Sequence, residues 1–181
     1  MKTLVIHPYD SSTDMLELVY KDKDFTVIRD FNISKLELIK AIDNHDRIIF
    51  LGHGTPDGLI NPRFLTSFKK EDMYLIDDSF VPLLRKKETV SMWCYSDRFF
   101  QRNHMKGFHT GMIISEVKEA NFVLGYSPLN EEELYQNMVL LAKTFGECIN
   151  ETPLEMKKHI LSKYVGDDDI TYFNRFNIKV L

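Results

Sequence analysis

Short apolar runs alternate with segments of helical period in the first part of the chain. Thr3–Ile6 and Phe25–Ile28 are apolar runs of strand length, and a segment of helical period lies between them at about residues 12–20. A capping-box pattern, Ser34 with Glu37, then precedes an amphipathic run. This order predicts a strand, a helix, a second strand and a second helix.

Two later apolar runs predict strands near the centre of a sheet. Arg47–Leu51 shows no alternation of apolar and polar positions, which is typical of a strand buried on both faces. It ends in Gly52-His53-Gly54, whereas the run Thr89–Trp93 leads directly into Cys94. Each predicted strand therefore ends at a residue whose side chain is suited to catalysis.

A turn-rich segment, residues 55–80, separates these two strands and predicts a small hairpin or ribbon. Within it, Lys69–Asp72 is predicted to form a solvated bend. Val81–Lys87 follows as a short helix, because Pro82 suits the first turn and the basic residues suit the negative carboxyl end.

The remaining pattern completes an α/β chain. It predicts, in order, a helix from Ser96 to about Met105, an extended segment at Met112–Ile114, helices at Glu131–Cys148 and Pro153–Tyr164, and an edge strand at Phe176–Leu181. No repeat or linker interrupts the pattern. We therefore expect one α/β domain over residues 1–181, a three-layer, doubly wound and mainly parallel sheet.

Composition narrows the classes of partner. The formal net charge of the 181 residues is -4, with acidic and basic residues interspersed, so a nucleic-acid partner is not expected. The apolar residues before His7 are too few for a secretion signal or a membrane span, which predicts a cytoplasmic protein without membrane association. Cys94 and Cys148 lack CxxC spacing, so neither a disulfide framework nor a metal site is expected, and no cofactor motif is present.

His53 and Cys94 are the candidate catalytic residues. Function in open parallel sheets gathers at the carboxyl ends of the strands, and adjacent strands lie only about 4.8 Å apart. A right-handed crossover places the two strands side by side and brings the imidazole and the thiol close together. Cys94 is predicted to be a nucleophile with a lowered pKa, His53 its general acid and base, and the backbone N–H groups of Gly54 and Cys94 the oxyanion donors.

These two strand ends resemble those of the caspase-like cysteine peptidases, which include caspases, metacaspases, legumain, gingipains, separase and CHAT domains. The resemblance covers roughly residues 1–127, and Cys94-Tyr95-Ser96 is similar to the Cys-x-Ser of legumain and metacaspases. It implies a caspase-like fold and hydrolysis of peptide bonds through a thioester. Trp93 departs from the pattern, because the family usually has a small residue before the nucleophile.

The resemblance also implies a peptide or protein substrate and a charged substrate pocket. Asp97 would pair with a basic side chain of the substrate and Arg98 with an acidic one, and the sequence does not choose between them. Caspases often pair through an edge strand, so a homodimer through residues 176–181 is a further expectation.

A second interpretation needs no catalysis. Cys94 is then a buried apolar residue and His53 a turn residue, in a flavodoxin-like or degenerate caspase-like domain that binds a small ligand or a protein. The Ser/Thr-rich turn Pro8–Thr13 would suit a phosphate, although it lacks a glycine-rich fingerprint. Cys148 falls at a core position of a helix in either case.

Overall fold

The computed structural model describes residues 1–64 and 73–181, so the predicted bend at Lys69–Asp72 lies outside the described residues. Six strands form a central sheet in the order β2-β1-β3-β7-β8-β9, and a separate antiparallel ribbon has the order β4-β5-β6. In chain order the strands are β1 (Thr3–Ile6), β2 (Thr26–Ile28), β3 (Arg47–Leu51), β4 (Gly54–Thr55), β5 (Gly58–Ile60), β6 (Tyr74–Ile76), β7 (Glu88–Met92), β8 (Phe108–Thr110) and β9 (Ile178–Val180).

Helices cover both faces of the sheet. They are a 3₁₀ helix (Ser11–Val19), α1 (Lys35–Asp43), a 3₁₀ turn (Asp78–Phe80), α2 (Val81–Leu84), α3 (Ser96–Arg102), α4 (Val117–Leu124), α5 (Glu131–Cys148), α6 (Pro153–Lys163) and α7 (Asp169–Phe176). The longer 3₁₀ helix, α5 and α6 pack on the face that carries Val5 and Ile49. The other face, with Leu4 and Ile48, is covered by α1, α2 and α3. The α/β class with a mainly parallel central sheet is therefore confirmed.

Alternation along the strands explains the two apolar clusters. Successive side chains of a strand point to opposite faces, so a central strand must be apolar throughout. Residues Ile48, Ile49, Phe50 and Leu51 are all fully buried, and they divide between the two clusters in the expected order. The unbroken apolar run in β3 is thus a consequence of its central place.

The largest differences from the pattern-based prediction lie in the last part of the chain. The short strand in this region is β8, and the predicted extended segment Met112–Ile114 follows it as a buried connection. In this connection the Ile114 N–H donates to Asn174 Oδ1. The helices α4 and α7 were not predicted, and α7 takes up Phe176, so that β9 begins only at Ile178. The strand β9 does form an edge of the sheet, antiparallel to β8.

The neighbouring strands β3 and β7 determine where the candidate residues lie. The two strands pair in parallel with Leu51 opposite Met92. His53 and Cys94 each follow two residues after that last pair, so both lie at the same edge of the sheet. The predicted adjacency of these strands is confirmed.

Of the helices formed by residues 1–64 and 73–181, none combines the length and the apolar character needed to cross a bilayer.

Candidate functional site

A glycine turn brings His53 out of the sheet. Gly52 N–H still donates to the Met92 carbonyl, but its φ of 134° lies in the region that favours glycine, and the chain leaves β3 there. The His53 carbonyl then accepts from Ile60 N–H, which starts the ribbon. His53 is thereby held between the central sheet and the ribbon.

The hydrogen bond from Ile60 also determines the direction in which the backbone N–H of Gly54 points. It makes Gly54 and Leu59 a non-hydrogen-bonded pair of the antiparallel ribbon. The Gly54 N–H therefore takes no part in the β4–β5 ladder and points away from β5. This orientation is compatible with the predicted role as an oxyanion donor.

Trp93 packs beneath the ribbon. Its side chain is buried, meets Phe50 and Phe99 edge to face, and its Nε1–H donates to the Thr55 carbonyl at 3.2 Å. A Cβ placed on Gly54 would lie 2.0 Å from Trp93 Cδ1. The large residue before Cys94 is thus accommodated by a glycine at the start of β4.

A second tight turn holds Cys94. Tyr95 adopts a left-handed conformation with a φ of 66°, and its N–H donates to the Gly111 carbonyl at 3.1 Å. Ser96 Oγ donates to the Thr110 carbonyl and accepts from the Thr110 N–H, both at 2.9 Å. These bonds tie the turn after β7 to the end of β8.

His53 is connected to a carboxylate through a serine. His53 Nε2 lies 2.7 Å from Ser12 Oγ, which donates to Asp10 Oδ1 at 2.8 Å. Because a carboxylate only accepts, the Ser12 hydroxyl proton is directed to Asp10, and the hydroxyl oxygen accepts from His53. The proton of a neutral His53 is therefore assigned to Nε2, which leaves Nδ1 as an acceptor.

The Cys94 thiol is in a different state from the one that the sequence predicted. Its Sγ donates to the Ile113 carbonyl at 3.5 Å, and burial, with a smaller contribution from the Glu119 charge, raises its pKa to about 11. The predicted lowering of this pKa is therefore wrong for the structure described. Burial outweighs the field of the short helix α3 because it removes the thiolate from water.

His53 and Cys94 line the same cavity, which has a volume of about 350 Å³. Gly54 and Tyr95 contribute to its wall, and two carboxylates, Asp10 and Glu119, lie in it as well. In the part of the chain that the structure describes, no hydrogen bond joins Cys94 directly to His53. The residues are thus gathered at one cavity with the thiol turned toward Ile113.

The two substrate-pocket candidates lie elsewhere. The Arg98 guanidinium stacks over the Tyr95 ring at 4.6 Å, and Asp97 Oδ1 accepts from the Arg98 N–H at 2.8 Å. Neither residue is part of the wall of the cavity that holds His53 and Cys94. The carboxylates in that wall are Asp10 and Glu119 instead.

Sequence reasoning missed Glu119 altogether, and it considered Asp10 and Ser12 only as part of a possible phosphate turn, not as partners of His53. A signal existed for Asp10 and Ser12, because they follow β1, and β1 pairs with β3 in the sheet. Asp10 accepts from Ser12 N–H at 2.9 Å and so caps the 3₁₀ helix with a negative charge, which disfavours a phosphate at the Pro8–Thr13 turn. Glu119 belongs to the unpredicted helix α4, so its position had no local signal.

Cys148 lies fully buried in α5, as predicted for a core position. Both cysteines are free thiols.

No protein-family model, curated protein or solved structure matches the chain. Its function has to be inferred from the chemistry of the site itself.

Proposed function

We propose that this chain is a cytoplasmic cysteine peptidase with a caspase-like fold, in which Cys94 is the nucleophile and His53 the general acid and base. The observation that carries the proposal is the common cavity of the two residues at the ends of adjacent parallel strands. A thiol and an imidazole that face one cavity are the minimum set for acyl transfer. The two free thiols are in keeping with a reducing compartment.

The chain through Ser12 supports the assignment of the base. With the His53 Nε2 proton directed to Ser12, the lone pair on Nδ1 is available to take the thiol proton. A pKa of about 11 means that Cys94 is a neutral thiol at pH 7. The thiol therefore exchanges its hydrogen bond to Ile113 for one to His53 as the substrate enters.

The reaction then proceeds in two acyl transfers. Cys94 Sγ bonds to the substrate carbonyl carbon while its proton passes to His53, and the carbonyl electron pair moves to oxygen, beside the N–H groups of Gly54 and Cys94. The C–N bond breaks as His53 returns the proton to the leaving amine. Water, deprotonated by His53, attacks the thioester, releases the carboxylic acid and restores the thiol.

The thiol state favours one alternative, a degenerate caspase-like or flavodoxin-like domain that binds a ligand or a protein partner. Cys94 donates to Ile113, and its pKa is raised rather than lowered. A thiol that only fills space has these properties. The two functions differ in whether His53 changes the reactivity of Cys94 toward a peptide-like electrophile.

The test compares the wild-type chain with His53→Ala and Cys94→Ser, each in a Cys148→Ser background. A peptide library is analysed for cleavage by mass spectrometry, and Cys94 is labelled with iodoacetamide and with peptidyl acyloxymethyl ketones. We expect cleavage by the wild type alone, and ketone labelling that falls at least about a hundredfold in His53→Ala. Iodoacetamide labelling should be slow at pH 7 and rise toward pH 11.

Cleavage that survives in Cys94→Ser would contradict the assignment of the nucleophile. Ketone labelling that is equal in wild type and His53→Ala, together with an uncleaved library, would establish the binding domain instead. Cys148 does not interfere, because its thiol is absent from this background.

A further inference from the structure

The charge of the cavity beside Cys94 distinguishes among peptide substrates. Two acidic side chains, Asp10 and Glu119, form part of its wall, and the described residues of the wall include no lysine or arginine. The remaining wall is largely apolar or small, as at Pro8, Ile60 and Met112. A cationic side chain that enters this cavity meets two carboxylates and no lysine or arginine among the described wall residues.

Glu119 retains an oxygen for such a side chain. Its Oε2 accepts from the Ser115 N–H at 2.8 Å, the Ser115 hydroxyl at 3.0 Å and the Glu116 N–H at 3.3 Å. Its Oε1 has no hydrogen-bond partner among residues 1–64 and 73–181. The backbone bonds thus hold the carboxylate in place at the start of α4 while one oxygen stays available.

Asp10 is arranged in a comparable way. Its Oδ1 accepts from the Ser12 N–H and from the Ser12 hydroxyl, so this oxygen serves the His53 connection. Its Oδ2 adds a second negative atom on the opposite element, after β1. Two fixed carboxylates in a partly closed cavity interact with a cation more strongly than the same groups do in open solvent.

Resting on the proposed function, we infer that the substrate carries arginine or lysine immediately before the cleaved bond, with Glu119 as the specificity-determining residue. Cys94 attacks the carbonyl of the residue whose side chain occupies the same cavity, so the selection acts at that position. Asp97 and Arg98, the candidates from the sequence, lie outside this wall. An acidic side chain at the same position would face repulsion from both carboxylates.

The experiment measures the rate at which Cys94 is labelled by three acyloxymethyl ketones that differ only in the side chain before the ketone. These carry arginine, its uncharged isostere citrulline, or aspartate. We expect labelling of the wild type by the arginine reagent at least about tenfold faster than by citrulline, and slowest labelling by aspartate. Glu119→Gln, which keeps the shape and a hydrogen-bond acceptor, should bring the arginine and citrulline rates to within about threefold of each other.

Glu132→Gln is the matched control, because it removes one charge from an exposed position of α5 outside the cavity. It should retain the full preference for arginine. Equal labelling of the wild type by arginine and citrulline reagents would overturn the assignment of a basic substrate while leaving the thiol site intact. Failure of all three reagents to label Cys94 would overturn the peptidase itself. The wild-type comparison needs no variant, so a folding defect in Glu119→Gln does not affect the decision.

Discussion

Ser12 determines which nitrogen of a neutral His53 carries the proton. Its hydroxyl stands between the Asp10 carboxylate and His53 Nε2, with bonds of 2.8 and 2.7 Å. Without the hydroxyl, His53 is free to rotate and to carry its proton on Nδ1. A protonated Nδ1 has no lone pair with which to accept the thiol proton. Ser12 is therefore a positioning residue for the proposed reaction.

Ser12→Ala is expected to lower the rate of peptide-ketone labelling at Cys94 by about tenfold or more, a part of what general acid–base catalysis contributes. The nitrogen chemical shifts of His53 should show a mixture of tautomers in this variant and mainly the Nε2-protonated form in the wild type. Ser11→Ala, at the exposed neighbouring position, serves as the control. Identical rates and His53 spectra in the two variants would rule out the positioning role.

The placement of His53 and Cys94 at one edge of the sheet was predictable because the signal lies in the sequence next to each residue. Apolar runs that end in His53 and Cys94 identify strand ends, and parallel pairing places strand ends together. The thiol state was not predictable, since it depends on Ile113 and Glu119, which lie 19 and 25 residues further along the chain. Burial by such distant segments is invisible in a local pattern.

Elements were predicted correctly where burial of one face, or of both faces, alone sets the period of the apolar residues. The strand β3 is apolar because both of its faces are covered, and α5 shows a helical period because one of its faces is buried. Met112–Ile114 resembles a strand because a connection that crosses the end of the sheet is buried as well. The helix α7 escaped prediction because its N-cap, Asp168, and its first residue, Asp169, belong to the acidic segment Asp167–Asp169, which reads as a solvated turn.

The ribbon packs on Trp93, directly after β7, through the close approach of Gly54 and the hydrogen bond from the indole to the Thr55 carbonyl. Gly54→Ala introduces a Cβ at 2.0 Å from Trp93 Cδ1, so the ribbon or the indole has to move. We expect this variant to lower the free energy of unfolding by about 2 kcal/mol, as overpacking does in other cores. Chemical denaturation measures the change.

A double-mutant cycle with Trp93→Phe separates this contact from other effects of the alanine. The smaller ring gives the new Cβ room, so we expect the double variant to be more stable than the sum of the single changes by about 1 kcal/mol. Additive changes would show that the Gly54 contact with Trp93 does not hold the ribbon in place. The proposed oxyanion role of Gly54 is independent of this result.

Buried groups that stay uncharged in the folded chain limit the stability of the fold both below and above neutral pH. Burial lowers the pKa of His7 to about 4 and that of His109 to about 3, from an ordinary value of 6.5. It raises the pKa of Cys94 to about 11 and that of Cys148 to about 12, from 9.0. Folding therefore opposes protonation of the histidines and ionisation of the cysteines.

The sign of the pH dependence follows from the protons bound in each state. Below pH 6.5 the unfolded chain binds protons at His7 and His109 that the folded chain does not, so stability falls as the pH decreases toward about 4. Above pH 9 the folded chain keeps thiol protons that the unfolded chain loses, so stability falls again as the pH increases. Maximum stability is expected between these limits.

The free energy of unfolding, measured by guanidinium denaturation at several pH values, tests the expected loss of stability below pH 6.5. When both histidines are protonated in the unfolded chain only, they together change the free energy of unfolding by about 3 kcal/mol per pH unit near pH 5. His109→Asn should reduce that contribution by about half, whatever the variant does to stability at pH 7, because one of the two differential protons is removed. His109 is fully buried, packs against Phe100 with 3.9 Å between ring centroids, and has Nδ1 2.7 Å from Ser91 Oγ, so a proton gained in the folded chain would place a charge in the core. An unchanged slope in His109→Asn would mean that His109 binds its proton in the folded chain as well as in the unfolded chain, which would contradict its lowered pKa.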